Sequence, residues 1–250
     1  MGLDVQDALG FTWDRRAVRP LRAYSPERAV WRFRQVLAEY VWDAAVLEGN
    51  PFTYPEVQTL LDGITVGGRK LSDARQVTNL ADAASELSRL VSSGGFKLSK
   101  ETSDHFQTLI AHDEALESGM FRGEGREMAT PHVSLGEYGR YTPPQTEPGG
   151  ANLRNIFAAG VAAIRTSLRD PFEQAAAYFL FSALQQFYFD GNKRTGRYMM
   201  NGWLMSHGID AISVPAARRQ EFNTEMVAFY RDKDGTAMFR FLASCWEGLQ

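Results

Sequence analysis

Hydrophobic residues recur at helical spacing along most of the chain, which predicts an all-α protein. One such stripe places apolar side chains on a single helix face at Val30, Phe33, Leu37, Val41 and Ala44. Ser25 followed by Pro26 predicts the start of that helix, because Ser favours the N-cap and Pro the first helical turn. Patterns of this kind predict helices at residues 26–48, 53–61, 71–93, 99–116, 152–168, 171–187, 195–206, 215–230 and 235–247.

Irregular structure is predicted in two regions. Residues 1–24 form a lead-in with scattered Arg residues, and residues 119–150 are rich in Gly and Pro. Because long connections without secondary structure are uncommon in compact domains, the second region is predicted to be functional or mobile. Its residues 134–144 are compatible with a short β-hairpin. Residues 1–250 are predicted to form one domain, in which residues 206–250 supply packing helices.

The helix predicted at 171–187 is apolar nearly all round, which is typical of a central helix buried by others. Asp170 is its predicted N-cap, Pro171 its first residue, and Glu173 has the spacing of a capping box. A membrane span needs about 20 apolar residues, more than this stretch contains. The segment that follows the helix is therefore mounted on the protein core.

That segment, residues 190–197, combines a carboxylate, a glycine, an amide and three cations. Gly191 allows the backbone to approach a ligand closely, and the loop ends at a helix N-terminus, which favours anions. Arg194 and Arg197 share a helix face and can bind phosphate oxygens. Asp190 suits Mg²⁺, which is commonly held by one or two carboxylates together with substrate phosphates. The residues indicate a polyphosphate site, although composition alone also allows a solvated basic turn.

The segment resembles the core motif of the Fic (Fido) family, H-x-F-x-D/E-G-N-G/K-R-x-x-R. Residues 186–197 read QFYFDGNKRTGR, which departs from the motif at Gln186 and at Tyr188. The resemblance implies a compact Fic-like helical bundle with a small β-hairpin flap, whose core spans about residues 42–205. It also implies transfer of AMP from ATP to a hydroxyl group of an unknown target protein, with ATP and Mg²⁺ as cofactors. The site residues implied are Asp190 for Mg²⁺ and, for the nucleotide, Gly191, Asn192, Lys193, Arg194, Gly196 and Arg197.

Gln186 occupies the position of the family's catalytic histidine. An amide cannot accept the proton of a target hydroxyl, and general base catalysis typically contributes about 10²–10⁴-fold to a rate. Of the four histidines, only His132 lies in a region with a route to the site. Three interpretations stay open: an impaired transferase, a degenerate Fic protein that binds nucleotide as a regulatory module, and a transferase whose histidine has been mutated. Because Lys193 also occurs in the branch that includes the Doc kinases, phosphate transfer is a further alternative.

A second segment resembles the inhibitory helix of some Fic proteins, S/T-x-x-x-E-G/N. Glu48, Gly49 and Asn50 match its end, whereas Ala44 stands where Ser or Thr is usual. Residues 26–50 are therefore expected to be the inhibitory helix, with Glu48 as the inhibitory carboxylate. A carboxylate on a buried helix face requires a partner, and the resemblance implies Arg197.

The predicted hairpin at 134–144 resembles the family's flap, which holds an extended target segment by main-chain pairing. Gly136, Tyr138 and Tyr141 are the residues expected to dock the target. An ordinary surface loop is the alternative.

Composition adds few constraints. The net charge is −3 and the basic residues are interspersed with acids, so no nucleic-acid partner is expected. The first residues lack the pattern of a signal peptide, which favours a cytoplasmic protein unless a secretion system delivers it elsewhere. Cys245 is the single cysteine, so no internal disulfide is expected. Homo-oligomer formation is left open.

Overall fold

A computed structural model describes residues 4–247; the first three residues of the predicted lead-in and residues 248–250 of the predicted C-terminal region lie outside it. The described chain is all-α apart from one small hairpin, as predicted. Its helices are α1 Val5–Leu9, α2 Pro26–Gln35, α3 Leu37–Leu47, α4 Tyr54–Leu61, α5 Leu71–Ser92, α6 Lys100–Ile110, α7 Ala151–Ser167, α8 Pro171–Gln185, α9 Asn192–Ser206, α10 Arg219–Asp232 and α11 Thr236–Glu247. The strands are β1 Val133–Ser134 and β2 Arg140–Tyr141.

Helix α8 lies at the centre of the molecule, as its sequence predicts. Its residues from Phe172 to Gln185 are all buried. The Asp170 side chain accepts a hydrogen bond from the Glu173 backbone N–H at 2.8 Å, which confirms the predicted N-cap. Helix α9 packs closely along α8 because Gly196 has no side chain at the contact: a Cβ atom there would overlap Ser182 Oγ. The loop between α8 and α9 is therefore held by two core helices.

The prediction of an irregular lead-in is wrong in part, because residues 5–13 pack on the core. Val5 and Leu9 of helix α1 are buried, and so is Trp13, which follows this helix in the chain. Glu173 does not complete a capping box as predicted. Its carboxylate instead accepts hydrogen bonds from Trp13 Nε1 at 3.0 Å and Arg15 Nε at 2.8 Å, which ties the lead-in to α8.

Several predicted helix ends differ from the observed ones. The segment 26–48 is two helices joined by a kink at Val36 (φ −107°, ψ 17°), where the sequence has neither Pro nor Gly. The helix predicted to continue to residue 116 ends at Ile110, and Asp113 then adopts a left-handed conformation with φ 61°. The segment 215–230 begins with a short 3₁₀ helix at Ala216–Arg218 and continues to Asp232 as α10. Tertiary contacts rather than local propensity set these boundaries.

The hairpin predicted at 134–144 is present as the antiparallel pair β1–β2, in which Val133 pairs with Tyr141. The chain that follows β2 is anchored by Arg122, a fully buried side chain. Arg122 donates to the Pro144 carbonyl at 2.9 Å and to the Gln186 carbonyl at 2.6 Å. The segment after the hairpin is thus fastened to Gln186, the residue that follows α8.

Among residues 4–247, no helix combines the length and apolar character needed to cross a membrane.

Candidate nucleotide site

The Asn192 side chain fixes the loop between α8 and α9 by hydrogen bonds to the backbone of Tyr188. This side chain is buried, and its Oδ1 accepts from the Tyr188 N–H at 2.9 Å while its Nδ2 donates to the Tyr188 carbonyl at 2.7 Å. Gly191 precedes α9 in the left-handed conformation (φ 78°) that glycine adopts without strain. Helix α9 begins three residues earlier than predicted, so Asn192, Lys193 and Arg194 form its first turn. Within the described chain no side chain caps this helix, which leaves its first N–H groups for a ligand.

Helix α8 ends at Gln185, two residues before the predicted end, and Gln186 follows it in a left-handed conformation (φ 49°). Its amide nitrogen donates to the Ala183 carbonyl at 2.6 Å and lies 3.3 Å from the Tyr230 hydroxyl. Its amide oxygen accepts from Asn192 Nδ2 at 3.1 Å. Both polar atoms of the Gln186 side chain are therefore used to join α8, α9 and α10.

Arg197 and Glu48 form the ion pair that the sequence predicts. Glu48 Oε1 lies 3.2 Å from Arg197 Nη2, and the two side chains are 19% and 5% exposed. Glu48 is positioned by the end of α3, where Gly49 turns the chain with φ 85°. Burial raises the pKa of Glu48, but the positive charges of Arg197, Lys193 and Arg194 outweigh burial and hold the pKa below its usual value. Glu48 is thus an ionised carboxylate at neutral pH.

Arg194 is held by two carboxylates: Asp190, which the sequence analysis assigns to Mg²⁺, and Glu114, which it does not assign to the site. Its Nη1 donates to Glu114 Oε2 at 2.6 Å, and its Nη2 lies 3.3 Å from Asp190 Oδ1. The Arg194 side chain is 4% exposed. Sequence reasoning missed Glu114 because it assigned this residue to the end of a helix, whereas the chain turns after Ile110 and brings Glu114 to the loop.

The polar atoms of the site that lack a hydrogen-bond partner indicate which kind of ligand the site suits. Within residues 4–247, Arg194 Nε, Arg197 Nη1 and Thr195 Oγ1 are buried and have no hydrogen-bond partner. Leaving a buried donor unpaired usually costs about 1–3 kcal/mol, and more when the group is charged. Two such guanidinium donors beside an uncapped helix N-terminus fit the phosphate groups of a nucleotide.

Asp190 is the residue expected to bind Mg²⁺. Its side chain is 56% exposed and contributes to the wall of the pocket that the loop forms. Among the described residues, no group of three or more His, Cys, Asp or Glu side chains is arranged to hold a metal ion. A single carboxylate fits Mg²⁺ that takes its other ligands from phosphate oxygens and water.

Two cavities lie at this end of the molecule. The loop encloses a pocket of about 80 Å³, and Glu48 forms part of its wall together with Gln186, Phe189, Asp190, Gly191, Asn192, Lys193 and Arg194. A groove of about 880 Å³ runs between the flap and α10. Arg219 lines this groove, and its Nη2 would lie 3.2 Å from a Cβ atom on Gly49, next to Glu48. Arg219, a lining residue of the large groove, therefore lies beside the glycine that follows Glu48.

The remaining predicted site residues have different surroundings. Gly196 contacts α8, so its observed role is close helix packing. Gly136 and Tyr138 line the groove, whereas the Tyr141 ring packs on Tyr230 with centroids 5.3 Å apart. His132 Nδ1 lies 3.2 Å from the Thr142 hydroxyl in the flap region. Within residues 4–247, no histidine lines the pocket of the loop.

Comparisons with known proteins agree with this geometry. No protein-family model matches the chain. Protein adenylyltransferase Fic from Aedes aegypti is 24% identical over 219 residues, which cover 86% of this chain and 41% of the relative. The corresponding protein from Culex quinquefasciatus has the same identity and coverage. The chain thus spans about two fifths of the length of these relatives.

Solved structures with the same fold are Fic proteins. Fic-1 from C. elegans matches 98% of this chain and 68% of its own, with a TM-score of 0.70 and 19% identity. A Fic domain-containing signaling protein from Bacteroides thetaiotaomicron matches 97% of this chain and 90% of its own, with a TM-score of 0.70 and 15% identity. The chain therefore has the helical fold of Fic-domain proteins. The resemblance to the Fic family that its sequence predicted is confirmed by these relatives.

Proposed function

We propose that this chain binds ATP with Mg²⁺ at the loop between α8 and α9, that Glu48 inhibits this binding, and that the site belongs to a protein adenylyltransferase impaired by Gln186. The Fic adenylyltransferases among its relatives support this class of reaction. The observation that carries the proposal is the Glu48–Arg197 ion pair, which occupies one of two buried arginines beside an uncapped helix N-terminus.

The binding residues follow from the contacts. The first turn of α9 and the unpaired Arg194 Nε and Arg197 Nη1 would contact phosphate oxygens. Asp190 would hold Mg²⁺, which when bound neutralises charge on the phosphates. The groove between the flap and α10 is large enough for the nucleoside, since ligand pockets commonly measure about 300–1,000 Å³.

Self-inhibition follows from the same ion pair. A carboxylate 3.2 Å from Arg197 repels a phosphate that approaches the same guanidinium, and Glu48 also forms part of the wall of the pocket of about 80 Å³. Because the pKa of Glu48 is lowered, its negative charge persists at neutral pH. Nucleotide binding would therefore require Glu48 to leave Arg197.

Transfer would then depend on residue 186. Gln186 cannot accept the proton of a target hydroxyl, and its amide is already hydrogen-bonded to Ala183 and Asn192. Positioning and charge neutralisation would still contribute to transfer, since they supply much of the catalysis in phosphoryl-type reactions. The amide contacts of Gln186 also favour the second candidate function, a Fic-like regulatory module that binds nucleotide without transferring it.

The test is transfer of label from α-labelled ATP to proteins of a cell lysate in the presence of Mg²⁺. Glu48→Ala is compared with Glu48→Ala/Gln186→His, and Glu39→Ala/Gln186→His serves as the matched control because Glu39 is an exposed residue on the same helix. We expect strong labelling by Glu48→Ala/Gln186→His and weak labelling by Glu48→Ala. No labelling by any variant would reject the transferase assignment.

A further inference from the structure

Glu114 forms the shortest ion pair of the site, yet the function proposed above gives it no role. The distance from Glu114 Oε2 to Arg194 Nη1 is 2.6 Å, and the side chains are 21% and 4% exposed. Glu114 Oε1 is buried and, among the described residues, has no hydrogen-bond partner. A carboxylate oxygen that is buried without a partner is costly, so the contact with Arg194 requires an explanation beyond surface charge pairing.

The contacts divide the Arg194 guanidinium into two sides. Nη1 faces the turn after α6, where it contacts Glu114 and the Ile110 carbonyl at 3.5 Å. Nη2 faces Asp190, which lines the pocket of the loop, whereas Glu114 and Ile110 are not among its described lining residues. Nε has no partner in residues 4–247. On the Nε–Nη2 edge, with which arginine binds an anion bidentately, Nε is unpaired and Nη2 is held by Asp190, so a phosphate on this edge would take the place of Asp190 on Nη2.

The turn that carries Glu114 is itself fixed in place. Asn79 Nδ2 donates to the His112 carbonyl at 2.9 Å, and Gln76 Nε2 lies 3.4 Å from Glu114 Oε2. The Gln76 amide oxygen accepts from Asn50 Nδ2 at 3.0 Å. Asn50 is two residues from Glu48, so one side-chain amide joins the Glu114 turn to the end of the helix that carries Glu48.

We propose that Glu114 is a positioning residue, which holds Nη1 of Arg194 from behind so that the Nε–Nη2 edge stays directed at the nucleotide phosphates. This proposal rests on the function proposed above. Glu48 and Glu114 then act in opposite ways on the two arginines: Glu48 competes with phosphate for Arg197, whereas Glu114 orients Arg194 towards it. Neutralising Glu114 should therefore weaken phosphate recognition, and neutralising Glu48 should strengthen it.

The test measures binding of Mg–ATP and of adenosine to the full chain by calorimetry, on the Glu48→Ala background. Glu114→Gln removes the charge and keeps the side-chain shape. Asp113→Asn is the matched control, since Asp113 is the neighbouring acid of the same turn and pairs with Arg75 at 2.8 Å rather than with Arg194. Asn also tolerates the left-handed conformation of residue 113.

We expect Glu114→Gln to weaken Mg–ATP binding about tenfold, because an oriented charged hydrogen bond is lost, and to leave adenosine binding unchanged. Asp113→Asn should change neither affinity. Glu114→Asp, which keeps the charge on a shorter side chain, should lose less affinity than Glu114→Gln. Thermal unfolding of each variant reports whether it folds. If Glu114→Gln does not fold, Glu114→Asp provides the comparison of Mg–ATP binding with adenosine binding.

Unchanged or tighter Mg–ATP binding by Glu114→Gln would overturn the proposal, as would an equal loss of ATP and adenosine binding, which indicates a structural role only. If the Glu48→Ala parent binds neither ligand, the proposed nucleotide site fails and the role of Glu114 fails with it.

Discussion

Glu48 Oε1 and Arg197 Nη2 lie 3.2 Å apart although 149 residues separate them in the sequence. The contact joins the end of α3 to α9 and places an ionised carboxylate at the pocket of the loop. It also leaves the second terminal nitrogen of Arg197 buried and, among residues 4–247, without a partner. An anionic ligand could therefore take the place of Glu48 on Nη2 of Arg197 and also supply the missing partner of Nη1.

Arg122 should hold the flap in place. This fully buried side chain donates to Gln186, to the Pro144 carbonyl and to Thr146 Oγ1, and burial lowers its pKa to about 10. Arg122→Met leaves the Gln186 and Pro144 carbonyls without their side-chain donor, so we expect the free energy of unfolding to fall by about 3 kcal/mol. Chemical denaturation measures this change.

The same variant should expose the flap to protease. We expect faster trypsin cleavage after Arg140, an exposed residue of β2, in Arg122→Met than in the unsubstituted chain. Arg126→Met is the matched control, because Arg126 is exposed on the same connection. Equal cleavage rates in the two variants would contradict the anchoring role of Arg122.

Asp43 should make stability depend on pH. Burial raises its pKa from 3.8 to about 6, the charge of Glu39 adds to this rise, and hydrogen bonds from Ser213 and Ala216 oppose it. Because the folded state binds this proton more tightly, its contribution to stability is full below pH 3.8 and is lost as the pH rises to about 6. Between pH 4.5 and 7.5 the loss should be about 2 kcal/mol.

Urea denaturation of Asp43→Asn across this pH range tests the prediction. Asp43→Asn should lack this loss of stability. Glu39→Gln, an exposed neutralisation on the same helix, should keep most of the loss, because the charge of Glu39 is the smallest of the causes that shift the pKa of Asp43. Parallel pH profiles of Asp43→Asn and the unsubstituted chain would show that Asp43 is not the responsible group.

Gly196 should be required for the contact between α8 and α9. Gly196→Ala places a Cβ atom against Ser182 Oγ, and overpacking a core typically costs about 1–3 kcal/mol. Ser182→Ala in the same chain should recover part of this loss. Gly67→Ala, where nothing lies within 4 Å of the added atom, should change the free energy of unfolding by less than about 0.5 kcal/mol. A similar cost for Gly67→Ala would refute the packing explanation.

The helices and the central position of α8 could be predicted because apolar periodicity and capping residues are local signals. Asp170 shows this, since its predicted cap on Glu173 is observed. The kink at Val36 could not be predicted, because none of the usual sequence signals marks it. The end of α6 was likewise missed. The sequence of residues 111–116 is compatible with a helix, but Asp113 adopts a left-handed conformation there.

The candidate site was predictable to a different extent for each residue. The Glu48–Arg197 contact followed from motif resemblance together with the need to pair a buried carboxylate. Glu114 was missed because its position depends on the turn after α6, which only the tertiary structure defines. Gly196 was assigned to the nucleotide, but its environment is helix packing, a distinction that spacing alone does not make.

The most direct test of the central claim is the affinity for Mg–ATP of Glu48→Ala compared with the unsubstituted chain, measured by calorimetry with Glu39→Ala as the control. Removal of one charge beside Arg197 should tighten binding by about tenfold or more, because phosphate no longer competes with a carboxylate. Glu39→Ala should bind as the unsubstituted chain does. Equal affinity of Glu48→Ala and the unsubstituted chain would contradict inhibition by Glu48.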